Sequence, residues 1–270
     1  EILNLVKQAR ARGVDVTFDQ YPYVASETSL MGSIVPRWAV AGGEAKMKER
    51  FLDPPTKEKI KKEMLVSIDK RGGPEKLFIA TFRPDTNLEG KNLAEIGKIK
   101  GKEPVDAAIE LLLTGEADIV SFNMLEEDLI RIMRSSFGLV ASDGSLVEFG
   151  KGVPHPRYYG TFPRVLGKYV REEGVLSLEE AVRKMSSAPA NRVGLGDRGL
   201  IREGMIADIT VFNPATVMDQ ATFEKPHQYP VGIDYVIVNG QLALSKGEWT
   251  GVRAGKVLYR QKPFFSPKKL

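Results

Sequence analysis

Apolar and polar positions follow two rhythms along this chain. Near the start, Leu5, Val6 and Ala9 recur at helical spacing, and Gly13 supplies the stop. Residues 14–18 are a short β-branched run, read as a strand. Asp19-Gln20-Tyr21-Pro22-Tyr23 then leaves it as a loop, because Pro22 cannot continue a ladder. A helix, a glycine stop and a buried strand make the αβ step of a parallel sheet. Further strands are expected at 76–81 and 118–122 and at the apolar run 137–141. Between them, Pro104 opens a helix with Val105, Ala108, Ile109 and Leu112 on one face. The next helix has Glu126, Glu127 and Asp128 in its first turn and Arg131 and Arg134 near its end, which complements the helix dipole. Residues 32–73 interrupt the rhythm with Gly42-Gly43, Pro54-Pro55 and a charged helix from near Thr56, and read as an insertion.

Two more helices are predicted after Arg157. The second starts on a capping box of Ser177 and Glu180 and turns Leu178, Ala181, Val182 and Met185 inward. Beyond Asn191 the rhythm becomes β. Residues 206–212 alternate, and Asn239-Gly240 between two apolar runs is a hairpin signal. The expectation is an α/β chain: a βα-repeating body over residues 1–190, then a small β module over 191–270. No internal repeat is visible.

Composition narrows the class. The 270 residues are 42% apolar, enough for a sizeable core. The net charge of +4 (39 basic minus 35 acidic) is spread along the chain, and no basic stripe interleaves with aromatics, so nucleic acid is not an expected partner. The absence of cysteine removes disulfide and thiolate chemistry. No apolar run approaches the roughly 20 residues a bilayer crossing needs, and the first residues lack a signal peptide's pattern. A cytoplasmic protein without membrane contact is expected. The chain has no initiator Met and opens inside a helical pattern, which reads as a piece of a longer protein.

The chemistry gathers where Ser142-Asp143-Gly144 follows the 137–141 run and Pro154-His155-Pro156-Arg157 follows in turn. A carboxylate at a strand tip can move protons to and from a nucleophilic water. The planar fork of Arg157 suits a carboxylate. His155 can donate a hydrogen bond, bind a metal or order its loop. The hydroxyls of Tyr21 and Tyr23 can bind a substrate carboxylate or an oxyanion. Each has a structural alternative: a turn cap, an ion pair, a loop staple, a packed aromatic corner. His227, beside Pro226, is expected to be structural, and Arg164, Lys168 and Lys184 to lie on the surface. No GxGxxG, P-loop, HExxH or GxSxG occurs.

Taken together, several segments carry a resemblance. They are residues 15–26 around Tyr21-Pro22-Tyr23, Ala141-Ser142-Asp143-Gly144, residues 154–167 from Pro154-His155-Pro156-Arg157 onward, residues 178–190, and residues 199–212. The set resembles the N-acyl-D-amino-acid deacylases (D-aminoacylases) of the amidohydrolase superfamily, over that family's C-terminal portion. The resemblance implies the C-terminal part of a metal-dependent-hydrolase TIM-like (β/α)8 barrel plus a small β-sandwich. It implies a metal-dependent hydrolase using Zn2+, acting on the amide of small N-acyl-D-amino acids. Asp143 falls on the proton shuttle and Arg157 on the carboxylate clamp, with Tyr21, Tyr23 and His155 beside the substrate. The family's Cys and His metal ligands have no counterpart here. Asp143 is the one candidate ligand, and the others are expected upstream of Glu1. Catalytic zinc usually takes about three protein ligands. The missing N-terminal portion of the barrel is therefore an expected partner, as a homo-oligomer is. The alternatives are a hydantoinase- or dihydroorotase-like amidohydrolase, or a non-catalytic amidohydrolase-like assembly protein.

Overall fold

The computed structural model describes residues 1–260. The last ten residues of the expected 191–270 module lie outside that range. In chain order the elements are α1 (Ile2–Ala11), β1 (Phe18–Gln20), β2 (Ser26–Ser29), α2 (Leu30–Ile34), α3 (Arg37–Val40), α4 (Glu44–Leu52), α5 (Pro54–Lys70), β3 (Leu77–Thr81), α6 (Leu93–Lys100), α7 (Pro104–Thr114), β4 (Asp118–Ser121), α8 (Glu126–Met133), β5 (Gly138–Val140), α9 (Arg157–Arg164), a wide-turned helical stretch Val165–Glu172, α10 (Leu178–Met185), α11 (Ser187–Val193), and β6 (Ile209–Phe212), β7 (Ile233–Val238), β8 (Gln241–Ser245) and β9 (Glu248–Trp249).

Three sheets result. β1 pairs with β5 in parallel, β2-β4-β3 form an antiparallel sheet, and β6-β7-β8-β9 form another. The expected βα-repeating body is corrected here. The strands at 77–81 and 118–121 pair antiparallel with each other, in a sheet that β2 completes. Helices α2 to α7 pack on this sheet. Their inward residues, among them Leu30, Ile60, Met64, Ile96 and Ile109, merge with Ile79 of β3 into the largest core cluster among the described residues. Local chemistry fixes where these helices start. Asp53 caps α5 by accepting the Thr56 N–H at 3.1 Å, and Asn92 and Glu95 form a complete capping box on α6.

The first strand also shifts. Residues 14–17 stay irregular and β1 starts at Phe18, because a ladder exists only where a partner runs alongside, and β5 is three residues long. The tail holds a single four-stranded sheet among the described residues rather than two facing ones. Its hairpin turns at Asn239 and Gly240, both at positive φ, as a tight two-residue connection requires. Among the described residues no helix is long and apolar enough to cross a membrane.

Candidate active site

Parallel pairing puts the ends of β1 and β5 side by side. Tyr21 follows the end of β1 directly, and Asp143 stands three residues past the end of β5. The Ser142 hydroxyl accepts the Gly144 N–H at 3.2 Å, so Ser142 closes this turn. Asp143 sits at φ 47°, a backbone region that costs most side chains energy. Its carboxylate is mostly exposed and meets the Arg157 Nη2 at 3.0 Å.

Arg157 opens α9 and is 4% exposed. Its guanidinium lies 4.6 Å over the Tyr21 ring, a cation–π contact. Nη2 also donates to the Glu27 carbonyl at 3.4 Å. Nε and Nη1 are buried without a partner. Unpaired donors on a buried cation are costly, and an anionic ligand would satisfy them. Burial pushes the Tyr21 hydroxyl above its usual range, with Arg157 acting against the shift.

His155 is fully buried. Its Nε2 lies 2.9 Å from the Ala25 carbonyl, and its Nδ1 accepts the Arg157 backbone N–H at 3.0 Å. These partners make Nε2 the protonated nitrogen. Burial holds the imidazole's pKa down to about 3, with Arg157 and Arg164 adding to the effect. His155 is therefore a neutral staple of the loop, and neither nitrogen is left for a substrate or metal. Tyr23 is buried too, 3.5 Å from Asp219 Oδ2 and 5.1 Å from the His155 ring centroid. Both side chains are buried and hydrogen-bonded within the protein.

Three residues expected at the surface take other places. The Arg164 guanidinium pairs with the buried Asp219 at 3.0 Å and donates to the Pro22 carbonyl at 2.9 Å. Gly160 permits this crowding, since a Cβ there would lie 2.5 Å from the Tyr23 hydroxyl oxygen. Lys184 is buried and donates to the Ser135 and Gly138 carbonyls at the foot of β5. Helix α10 turns Ala181 and Lys184 inward and leaves Val182 exposed. Helical periodicity cannot show that a lysine's stem is core and its ammonium a cap for distant carbonyls. Lys168 is mostly covered and bridges Glu126 at 2.7 Å. His227 faces Tyr159 Oη at 2.9 Å and the carbonyls of Lys151 and Gly152 at 3.1 Å, which staples the 143–153 loop to α9.

Sequence reasoning missed Glu27 and Tyr158. The Glu27 carboxylate accepts the His155 backbone N–H at 3.2 Å, and the Arg157 guanidinium lies 5.8 Å from the Tyr158 ring centroid. Burial raises the pKa of Glu27 and that of Tyr158. The only signal was an acidic residue in a Ser/Thr-rich strand. Among the described residues no three His, Cys, Asp or Glu side chains cluster to hold a metal. Both histidines are spent internally, so this donor set does not fit a zinc site by itself.

Residues 141–243, which contain Asp143 and Arg157, match the Amidohydrolase family. The chain is 36% identical over 260 residues to a D-aminoacylase of Alcaligenes xylosoxydans xylosoxydans, covering 96% of this chain and 45% of that protein. Over nearly its whole length the chain is thus similar to a D-aminoacylase, of which it covers under half. A D-aminoacylase crystal structure, described as defining a novel subset of amidohydrolases, superposes with TM-score 0.74 at 35% identity, over 96% of this chain and 46% of that one. The N-acyl-D-glutamate deacylase of Bordetella bronchiseptica, solved with zinc and a phosphonate mimic of the tetrahedral intermediate, superposes with TM-score 0.68 at 32% identity, over 89% of this chain and 42% of that one. The chain thus has the α/β metal-dependent-hydrolase fold and spans somewhat under half the length of these relatives.

Proposed function

We infer that this chain is the C-terminal part of a metal-dependent amidohydrolase that cleaves the amide of N-acyl-D-amino acids. The observation that carries the reading is Arg157: a buried guanidinium with two unpartnered nitrogens, 3.0 Å from a strand-tip carboxylate. A substrate carboxylate would supply the missing partners, bidentately, and fix the acyl group beside Asp143. Asp143 would take a proton from the attacking water as it adds to the carbonyl carbon. It would return that proton to the amine as the C–N bond breaks. Tyr21 would order the clamp from below, with His155 and Tyr23 holding the loop behind it.

The β1–β5 pair would be part of a (β/α)8 barrel, since functional groups on such barrels follow the C-terminal strand ends. The remaining length would supply the other strands, the metal ligands and a facing sheet for the tail. The structural division would then run as a barrel part over 1–190, interrupted by the helical insertion at 32–73, and a β module from 191.

In the complete, metal-loaded enzyme, Asp143→Asn is expected to lower kcat on an N-acyl-D-amino acid by about 10²–10⁴-fold, the range a general base contributes. Near-normal turnover would refute the assignment. A non-catalytic assembly protein predicts instead no stoichiometric metal and no effect of this change.

A further inference from the structure

The first strand of the antiparallel sheet also reaches the site. Residues 25–27 anchor the segment 155–157 in three ways. The Ala25 carbonyl lies 2.9 Å from His155 Nε2. The Glu27 carboxylate accepts the His155 backbone N–H at 3.2 Å. The Glu27 carbonyl accepts from Arg157 Nη2 at 3.4 Å. Glu27 is itself held rigidly, since β2 pairs with the central strand β4 and places Glu27 opposite Val120.

We propose that Glu27 is a positioning residue that aims the Arg157 guanidinium and so sets how strongly the enzyme demands a free carboxylate on its substrate. A guanidinium is a flat fork, and bidentate recognition depends on its plane and direction. One of its two terminal nitrogens is already tied to Glu27 and Asp143. The direction of the remaining Nε and Nη1 then follows from where the loop 155–158 sits. Glu27 holds that loop at the His155 backbone N–H. Removing its carboxylate would orphan this donor, and displacements of about 1 Å at a clamp can cost up to 10²-fold. Glu27 also places negative charge near Arg157, which weakens the pull on an anion. Position and charge therefore act in opposite directions on a substrate carboxylate, and two substitutions separate them.

The inference rests on Arg157 being the carboxylate clamp. The test measures kcat and KM in the complete, metal-loaded enzyme for an N-acyl-D-amino acid and for its carboxamide-capped analogue. Glu27→Ala is expected to raise KM for the acid about tenfold, keep its kcat within about threefold, and leave the carboxamide almost unchanged. Glu27→Gln keeps an acceptor oxygen and loses only the charge, so it is expected to return KM for the acid to the wild-type range or below. Equal losses on both substrates, or a Gln variant as impaired as Ala, would overturn the proposal, because they are the marks of a merely structural role. Arg157→Lys tells the two failures apart. If it leaves the preference intact, the clamp reading fails. If it abolishes the preference while Glu27→Ala does not change it, the role of Glu27 alone fails.

Discussion

The antiparallel unit from β2 to β4 and the parallel β1–β5 pair differ in how far each completes itself. In the first, three strands are stacked by hydrogen bonds and six helices cover them. Its core cluster gathers 23 buried apolar residues, against five, four and three in the others. In the second, two three-residue strands pair only with each other among the described residues. The helix before them, α1, buries none of its side chains and exposes Ile2 and Leu5. Parallel sheets are normally buried on both faces by helices, and this two-stranded pair is the smallest sheet among the described residues. The candidate active site sits on this less complete part. The complete part reaches it through Ala25 and Glu27. A rigid unit anchoring a site built on strand tips is a sound arrangement, because a catalytic group must be held to a fraction of an ångström.

The comparison can be broken at its strongest point first. Ile96→Ala, in the large core, is expected to destabilise the fold by about 2–5 kcal/mol in urea unfolding. Native-state hydrogen exchange should find β3, β4 and α7 slowest and α1 and β1 fastest. Equal protection in both regions would sink the contrast.

The joint between the regions comes next. His155 is neutral and buried in the fold, with its pKa held near 3, while an unfolded histidine titrates near 6.5. Its contribution is complete above pH 6.5. It is lost as pH falls toward 3, because the unfolded chain binds the proton that the folded one refuses. The expected slope in that window is about 1.4 kcal/mol per pH unit. His155→Gln should remove it, and an unchanged pH dependence would show that the ring is not held neutral.

The smallest expected effect sharpens the contrast. Leu5→Ser on exposed α1 should change the stability of the chain alone by less than about 0.5 kcal/mol. In the complete protein, where neighbouring barrel elements would cover this face, it should cost about 1–3 kcal/mol. Equal, small effects in both would remove the reason to regard α1 as a covered helix.

Much of the local structure was legible along the chain. Helices α7, α8 and α10 start where Pro104, the Glu126-Glu127-Asp128 triplet and Ser177 lie, and α5 starts two residues before Thr56, because capping, dipole and proline effects act within one turn. The Asn239-Gly240 hairpin was equally local. The pairing of strands was not legible. A run such as Leu77–Thr81 is equally apolar in a parallel or an antiparallel sheet, and β2, Ser26-Glu27-Thr28-Ser29, has too little apolar content to be recognised as a strand at all.

The same division holds in the candidate site. Residue type and order alone marked Asp143 and Arg157, since a carboxylate just past an apolar run and an arginine in the next loop are chemistry written in one dimension. Only the tertiary structure decided that Asp143 meets Arg157, that His155 and Tyr23 are buried, and that Lys184 caps β5 from below. Only it brought Glu27 to a loop 128 residues away. Hydrogen bonds and ion pairs depend on distances of a few ångströms, and chain separation carries no information about those distances until the sheets have paired.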